Sequence, residues 1–358
     1  MTEGDFAQWR LASQRIAPAM DADPAAVVGR LAAVQAQDYG AAKWAVGLRT
    51  AGATDSALEQ AFANGAILRT HLLRPTWHFI LPADIRWLLS LTAPRVKTAL
   101  AYNDRRLGVD AGVISRSNAV LARALEGGKQ LTRSELATVL AGAGIATNDL
   151  RLGHLLFHAE LDGVVCSGAR RGKQFTYMLL EERVPPAPVL SREESLARVA
   201  RRYFTSRGPA ALKDFVWWSG LTVADARAGL EMVKPELGRA VVDGTEYWFG
   251  ERPPDAARDG PVAHLLPNFD EFVVGYADRS AVFEERHTPA LGPRSSVLMT
   301  YIIVIEGQVA GTWRRTFEKG AVAIDLKPFF PLTAAETEAV EAAAERFGAF
   351  LGLPAQLV

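Results

Sequence analysis

Two glutamines one residue apart, Gln35 and Gln37, lie in the stretch "RLAAVQAQDYGAAKW" at residues 30–44. A side-chain amide has no usable pKa near neutrality, but its carbonyl accepts hydrogen bonds and its NH2 group donates two. Such a pair can position a water molecule and direct dipoles toward a developing positive charge. This chemistry suits a hydrolysis whose leaving group departs without being protonated, such as cleavage of the N-glycosidic bond to a cationic, alkylated purine.

The local backbone decides whether the two amides can act together. Residues two apart diverge on a regular helix, whereas in extended chain they share a face. Asp38 and Gly40, which are poor residues for a helix interior, follow at once. The sequence therefore predicts that the glutamines straddle the end of a helix formed by "PAAVVGRLAAVQAQDY" (24–39), where their amides converge. The alternative is that they cap this helix end and contact only solvent.

The elements around a second stretch, residues 131–179, are the clearest in the chain. Thr132 and Glu135 form a T-x-x-E capping box that starts a helix near 133, and glycines stop this helix around 142–144. A second helix with periodic leucines ends at Gly163, and two β-rich runs then flank the basic turn "GARRGKQF" (168–175). The order of helix, turn, helix and hairpin predicts a winged-helix domain.

The same order recurs in residues 195–250 and, less regularly, near the N-terminus, where "AILRTHLLRPTWHFIL" (66–81) supplies extended chain with a turn at Pro75. The tail indicates strands with glycine turns and a C-terminal helix. Proline-rich stretches at 181–194 and 250–262 are predicted to be connectors between domains. The predicted class is α+β: three tandem winged-helix domains and a C-terminal α+β cap, with boundaries at residues 1–100, 101–185, 186–255 and 256–358.

Composition excludes several classes of function. The 358 residues carry 40 Lys and Arg against 40 Asp and Glu, so no global field attracts nucleic acid or anionic lipid, and only local cation patches can do so. The single cysteine, Cys166, allows no internal disulfide and no thiolate zinc site. No signal peptide and no apolar run of roughly 18 residues is present. We expect a cytoplasmic protein without metal, and the absence of G-x-G-x-x-G and P-loop motifs predicts no nucleotide cofactor.

Four blocks in the same order resemble the winged-helix DNA glycosylases of the AlkZ and YcaQ type. These blocks are "VQAQDYGAAKWAVGLR", "ILRTHLLRPTWHFILPADIRWL", "LLPNFDEFVVGYADRS" and "GTWRRT". The resemblance covers nearly the whole chain and implies three winged helices in a C-shaped body around duplex DNA. It also implies that Gln35 and Gln37 are the catalytic Q-x-Q of the AlkZ-like branch, whereas YcaQ-like members carry Q-x-D.

The resemblance implies a bacterial, monofunctional DNA glycosylase that repairs alkylation damage by excising alkylated purines. Some AlkZ-like members unhook interstrand crosslinks made by natural-product alkylators. The expected partner is damaged double-stranded DNA, bound by a monomer. The alternative is a DNA-binding protein without catalysis, either a transcription regulator or a lesion-binding resistance protein, since fold does not fix function. A scaffold for protein contacts is a third reading that the neutral charge permits.

Clustered cations are the candidates for DNA contact. Alternation along the extended segment places positions 74 and 78 on one face and position 69 on the other. The alternatives are ordinary surface ion pairs for the extended segment and a solvated basic turn for the hairpin. Trp313, next to Arg314, either stacks on a ligand or is buried. The predicted DNA-binding residues are Arg69, Arg74, His78, Arg170, Arg171, Lys173 and Arg314.

Two further groups of charged side chains are predicted to have structural roles. His154 and His158 are spaced as metal ligands sometimes are, but no third ligand supports a site, and an interhelical role is the prediction. Asp270 and Glu271 in "NFDEF" either steady a cation or pair with arginine to brace the cap onto the body, and bracing is the prediction.

Overall fold

The computed structural model describes residues 3–16, 21–148, 150–251, 260–292 and 295–358. The helices are α1 (Glu3–Ser13), α2 (Pro24–Leu31), α3 (Tyr39–Gly47), α4 (Asp55–Ala63), α5 (Pro82–Leu107), α6 (Ala111–Leu125), α7 (Arg133–Gly142), α8 (Arg151–Leu161), α9 (Leu180–Arg183), α10 (Arg192–Arg207), α11 (Leu212–Ser219), α12 (Val223–Val233), α13 (Glu271–Val274) and α14 (Ala334–Leu351). The strands are β1 (Val34–Gln35), β2 (Leu68–Leu72), β3 (Thr76–Ile80), β4 (Leu131–Thr132), β5 (Val165–Ser167), β6 (Thr176–Leu179), β7 (Gly238–Val242), β8 (Thr245–Phe249), β9 (Ala263–Leu266), β10 (Ile302–Ile305), β11 (Gln308–Glu318), β12 (Ala321–Pro328) and β13 (Ala355–Leu357).

The chain around the two glutamines is not a helix end, so the helix predicted over 24–39 is wrong. Helix α2 stops at Leu31 because Ala32 adopts a positive φ of 65°, and Gln35 belongs to β1. Asp38 then starts α3 as its N-cap, with Oδ1 accepting a hydrogen bond from the backbone N–H of Ala41 at 3.0 Å. Asp38 follows the glutamines because it begins the next helix, which is the usual role of such a residue.

One order of elements occurs three times. In the first unit α2, β1, α3 and α4 precede the β2–β3 hairpin, and β1 pairs with β3 to give the sheet order β1-β3-β2. In the second unit α6, β4, α7 and α8 precede the β5–β6 hairpin, with the matching order β4-β6-β5. In the third, α10, α11 and α12 precede β7–β8, and a bridge from Ala210 to Trp248 takes the place of the first strand.

The helices and hairpins predicted over 131–179 and 195–250 are confirmed. The capping box of Thr132 and Glu135 is present, and α7 ends at Gly142. Residues 184–191 form an irregular connector between α9 and α10. Most of the second predicted connector, residues 252–259, lies outside the described residues, as does the predicted boundary between 255 and 256.

Helix α5 was not predicted and spans 26 residues. It begins at Pro82, directly after β3, and packs against α8 of the second unit and α10 of the third. The boundary predicted between residues 100 and 101 falls inside it. The helix therefore connects the units as one continuous element rather than as a flexible linker.

The C-terminal region is a five-stranded sheet in the order β13-β12-β11-β10-β9, covered by α14. Its core is continuous with that of the first unit. Trp44 of α3 packs against Phe347 and Phe350 of α14 and donates a hydrogen bond from Nε1 to the carbonyl of Leu265 at 2.7 Å. None of the described helices combines the length and the apolar character needed to cross a lipid bilayer.

Candidate active site

The Q-x-Q segment lies at an edge of the first sheet. Gln35 is paired with His78 of β3, and the N–H of Ala36 donates to the carbonyl of Trp77 at 2.7 Å. β1 is an edge strand that pairs with β3 on one side, so the backbone groups on its other side are available to other elements. The segment is therefore held by the sheet rather than by a helix.

The amide of Gln35 is buried and oriented by an arginine. The residue is 6% exposed, and its Oε1 accepts a hydrogen bond from Nη2 of Arg74 at 2.8 Å. A guanidinium can only donate, so this contact fixes the carbonyl toward Arg74 and turns the NH2 group the other way. Burial lowers the pKa of Arg74, and the nearby Glu271 carboxylate acts in the opposite direction.

Gln37 is exposed, in contrast to Gln35. Among the described residues, its Oε1 accepts a single long hydrogen bond of 3.4 Å, from the backbone N–H of Trp77. A carbonyl oxygen has two lone pairs, so Gln37 keeps acceptor capacity on the solvent side. One amide of the pair is thus fixed from behind, and the other faces outward.

A fully buried ion pair braces this segment from behind. Glu271 accepts the backbone N–H of Gln35 on Oε1 at 2.9 Å and receives Arg207 Nη2 on Oε2 at 2.7 Å. Arg207 donates in turn to the carbonyls of Leu31 and Ala33. The bracing role predicted for Glu271 is confirmed, whereas Arg207, about 170 residues from the motif, was missed because no local pattern distinguishes it.

Known proteins of similar sequence and fold identify the family of this chain. The model of the family described as "DNA glycosylase AlkZ-like" matches residues 28–350. The chain belongs to the AlkZ-like DNA glycosylase family. It is 26% identical, over 98% of its length and 97% of the relative's, to an "Interstrand DNA cross-link repair glycosylase" from Streptomyces sahachiroi. It also matches the solved structure of the Streptomyces sahachiroi DNA glycosylase AlkZ with a TM-score of 0.80 and 24% identity over the whole of both chains.

The AlkZ-like glycosylase has a carboxylate next to the motif that sequence reasoning did not select. Asp38 caps α3 with one oxygen and accepts a hydrogen bond from the Tyr301 hydroxyl on the other at 3.2 Å. Burial raises the pKa of Tyr301 to about 12, so the phenol stays a donor. Arg315 lies over the Tyr301 ring at 4.4 Å. The missed signal was the position of Asp38 directly after the Q-x-Q.

The prediction that His78 contacts DNA is not supported by its position. Its ring is completely buried, and Nδ1 donates to the carbonyl of Thr76 at 3.0 Å. Burial, together with the Arg74 cation, lowers the pKa of His78 well below its ordinary value. A neutral, enclosed ring supports the sheet under Gln35 and does not reach a groove.

Arg69 lies on the face of the sheet opposite Gln35 and His78, as alternation predicted, whereas Arg74 lies in the turn between β2 and β3 and reaches Gln35 from there. Arg69 pairs with Phe79, while Gln35 and His78 share the other face. Arg69 is 8% exposed, and its Nε donates to the carbonyl of Ala36 at 3.0 Å. The motif is therefore bonded by one arginine from each side.

The three cations of the second hairpin have different environments. Arg170 folds back onto Glu59 at 3.2 Å and is half-buried over the Tyr39 ring, so it is not a cation of the hairpin tip. Arg171 is exposed and pairs with Glu135 at 2.8 Å. Lys173 is exposed with no ion pair to any described residue. Only Lys173 matches the simple prediction of a free wing cation.

Two remaining predictions about charged neighbours are resolved by burial. Trp313 is 1% exposed and donates to the carbonyl of Leu266, so it packs in the core and cannot stack on a ligand, whereas Arg314 is exposed on β11. Asp270 forms a buried two-pronged pair with Arg49 at 2.7 and 2.9 Å, which confirms that it braces the cap.

The two histidines of α8 share one carboxylate. His154 Nδ1 lies 2.7 Å and His158 Nε2 lies 2.9 Å from the two oxygens of Asp104 on α5. This contact joins α8 to α5 and confirms the interhelical role. Among the described residues, no group of three or more His, Cys, Asp or Glu side chains has the arrangement of a metal site.

Proposed function

We propose that this AlkZ-like glycosylase excises N-alkylated purines from duplex DNA and that Gln37 orients the water that attacks C1′ of the damaged nucleotide. The observation that carries the proposal is the difference between the two amides. Gln35 is buried with its carbonyl held by Arg74, and Gln37 is exposed with acceptor capacity on its open side. Gln35 then orients the site from below, and Gln37 contacts the nucleophile.

The proposed reaction needs no strong base. Alkylation at N7 places a positive charge on the purine, so the electrons of the N-glycosidic bond pass to N9 and neutralise it as the base leaves. The water oxygen bonds to C1′ and its proton goes to bulk solvent. The transition state resembles an oxocarbenium ion, and an amide carbonyl can both accept a water proton in a hydrogen bond and face the developing charge.

The charges beside the motif fit this chemistry. The carboxylate of Asp38 stands one residue from Gln37, where its negative charge favours a cationic sugar. Behind the motif, the Glu271 carboxylate attracts Arg74 and is itself paired with Arg207. Fixed hydrogen bonds keep these carboxylates oriented, which is what electrostatic stabilisation requires.

We further propose that the three repeated units are winged-helix domains that hold the duplex so that the Q-x-Q edge meets a groove. The repeated order of helices and hairpin supports this. The name of the relative from Streptomyces sahachiroi supports interstrand crosslinks as a second substrate class. A crosslinked base is tied to the opposite strand and cannot rotate out freely, so an exposed Gln37 at a sheet edge suits attack without base flipping.

One chain carries both the motif and the groups that brace it, which come from the β2–β3 hairpin, α10 and α13. No residue of a second copy is needed to complete the site. We therefore propose that the enzyme acts as a monomer, which sedimentation of the protein with and without duplex DNA tests directly.

The deciding experiment incubates the protein with a duplex carrying one 7-methylguanine and then heats it in alkali to break abasic sites. Wild type should give strand breaks at that position only. Gln37→Ala should reduce the rate about 100-fold, the usual effect of removing one group that stabilises charge in the transition state. The matched control is Gln60→Ala, since Gln60 is an exposed glutamine of α4 whose side chain bonds to Asn64 alone among the described residues. Tight binding without breaks by wild type would contradict a glycosylase acting on alkylated purines.

A further inference from the structure

A cavity of about 610 Å³ lies between the first and second units, on the face of the first sheet opposite Gln35. Its walls come from the β2–β3 hairpin, the start of α7 and the turn before β6. Arg69 and Trp77 belong to the first unit, and Arg133, Lys173 and Phe175 belong to the second. The cavity is therefore formed by two units and adjoins the Q-x-Q segment through Arg69.

The Arg69 guanidinium is held in the wall with its outer edge unused. Its central carbon lies 4.3 Å from the Trp77 ring and 4.5 Å from the Phe175 ring, so aromatic rings contact it closely. Nε is bonded to the carbonyl of Ala36, and the two terminal nitrogens have no hydrogen-bond acceptor among the described residues. A guanidinium edge with two free N–H donors matches the geometry of a phosphate or carboxylate.

Among the described residues, no carboxylate forms an ion pair with Arg69. The Glu160 carboxylate attracts the guanidinium from beyond ion-pair distance, and its Oε2 is bonded to the backbone N–H and the ring Nδ1 of His71. Burial lowers the pKa of Arg69 to about 10, which leaves the group cationic at neutral pH. The cavity thus contains a buried cation that no described carboxylate contacts directly.

The rim adds positive charge of the same kind. Arg133 and Lys173 are exposed at the mouth, and the cavity lining contains three cations and no carboxylate. Arg133 is the first residue of the ten-residue α7, and Ser134 beside it contributes a hydroxyl. Three cations without an acid form a local concentration of charge in a chain whose formal charge is zero.

We propose that this cavity binds one backbone phosphate of the DNA strand close to the damaged nucleotide, with the terminal nitrogens of Arg69 donating to its oxygens. This inference rests on the proposed function, because it specifies which part of the DNA substrate binds in the cavity. The Trp77 side of the cavity takes the apolar face of the adjoining sugar or base. Lys173 and Arg133 draw the strand to the mouth.

The position of Arg69 gives this contact a consequence for catalysis. The same guanidinium holds the carbonyl of Ala36, the residue between the two glutamines. A phosphate bound on one edge and the motif bound at Nε are thereby fixed relative to each other. Arg69 is a positioning residue that sets the register of the strand against Gln37.

The test uses the full-length protein and duplexes with a tetrahydrofuran abasic analogue, in which single phosphates near the lesion are replaced one at a time by uncharged methylphosphonate. Wild type should lose about 10-fold in affinity at one linkage. Arg69→Gln should bind the unmodified duplex about 10-fold more weakly and lose its sensitivity at that linkage alone. The slope of its plot of log affinity against log salt should be smaller by about one, which corresponds to the loss of one phosphate contact.

Arg69→Gln that weakens binding but still responds to the same linkage as wild type would overturn the proposal, because the guanidinium would then be structural. If this variant does not fold, a variant of the exposed rim provides the test. Lys173→Gln should make the plot of log affinity against log salt shallower. The control Arg123→Gln, on α6 and outside the cavity, should leave that plot unchanged. Equal plots for both would overturn the proposal. Binding needs no excision, so a linkage effect without strand breaks would contradict only the proposed glycosylase reaction.

Discussion

Arg207 and Glu271 form an ion pair in which neither side chain reaches solvent, with Nη2 and Oε2 2.7 Å apart. Trp218 donates to the same carboxylate oxygen at 2.9 Å, and the other oxygen holds the backbone N–H of Gln35. The pair joins the third unit, the C-terminal region and the motif at one point. A buried pair with all its hydrogen bonds made is tolerated, but either charge left alone is costly.

Removing one charge of this pair should destabilise the protein strongly. Glu271→Gln keeps the shape of the side chain but leaves Arg207 buried without its counter-ion, and we expect a loss of about 3–5 kcal/mol in the free energy of unfolding. Urea unfolding followed by tryptophan fluorescence measures it. The control is Glu236→Gln, which breaks the exposed pair with Arg201 and should leave the midpoint unchanged. Similar midpoints for the two variants would show that the buried pair does not brace the motif.

Arg74 should affect the rate of excision rather than the ionic part of DNA binding. Its Nη2 is bonded to Gln35, and it lies over the exposed Trp217 at 5.7 Å. Loss of a hydrogen bond to a charged group is worth about 1.5–3 kcal/mol, so Arg74→Met should lower the single-turnover rate by at least about 10-fold. The dependence of DNA affinity on salt should stay as in wild type. A flatter salt plot would instead assign Arg74 to a DNA phosphate.

The sequence predicts those parts of the fold that local chemistry specifies. The capping box at Thr132 and the glycines after it define α7 without any tertiary information. The helix over 24–39 was wrong because its stop, the positive φ of Ala32, occurs at a residue with no helix-breaking tendency of its own. Contacts with Arg207, Trp77 and Glu271 hold that backbone, and these residues are distant in sequence.

The candidate site, like the fold, was predicted from the sequence only in part. The Q-x-Q spacing and the resemblance select Gln35 and Gln37, but only the structure reveals that one is buried and the other exposed. Charge alone selected His78 and Arg170 as DNA contacts, although one is enclosed and the other is paired with Glu59. The sequence does not distinguish a cation on a β-strand that faces solvent from one that faces a neighbouring unit.

Close packing of the C-terminal helix on the first unit makes Gly47 sensitive to substitution. A Cβ atom at Gly47 would lie 2.5 Å from the Phe350 ring, so Gly47→Ala requires α14 to shift, and we expect a cost of about 1–3 kcal/mol. The matched control is Gly142→Ala at the end of α7, where a Cβ would meet nothing within 4 Å. That variant should be neutral or slightly stabilising. Thermal unfolding of both proteins compares them, and equal melting temperatures would contradict the tight contact.

The buried His78 should make the protein less stable as the solution becomes acidic. Burial lowers the folded-state pKa of this ring, whereas the unfolded chain has a pKa of about 6.5. Above about pH 6.5 both states are neutral and His78 contributes no pH dependence. Below it, only the unfolded chain takes up the proton, so the free energy of unfolding falls by up to about 1.4 kcal/mol per pH unit from this group.

His78→Asn tests this dependence directly. The amide NH2 retains a donor for the carbonyl of Thr76 and removes the titrating ring. Urea unfolding of both proteins at pH 7.5 and 5.5 should show a smaller acid-induced loss in the variant than in wild type. Parallel losses would mean that His78 takes up its proton in the folded state too, and would contradict the enclosed, neutral ring beneath Gln35.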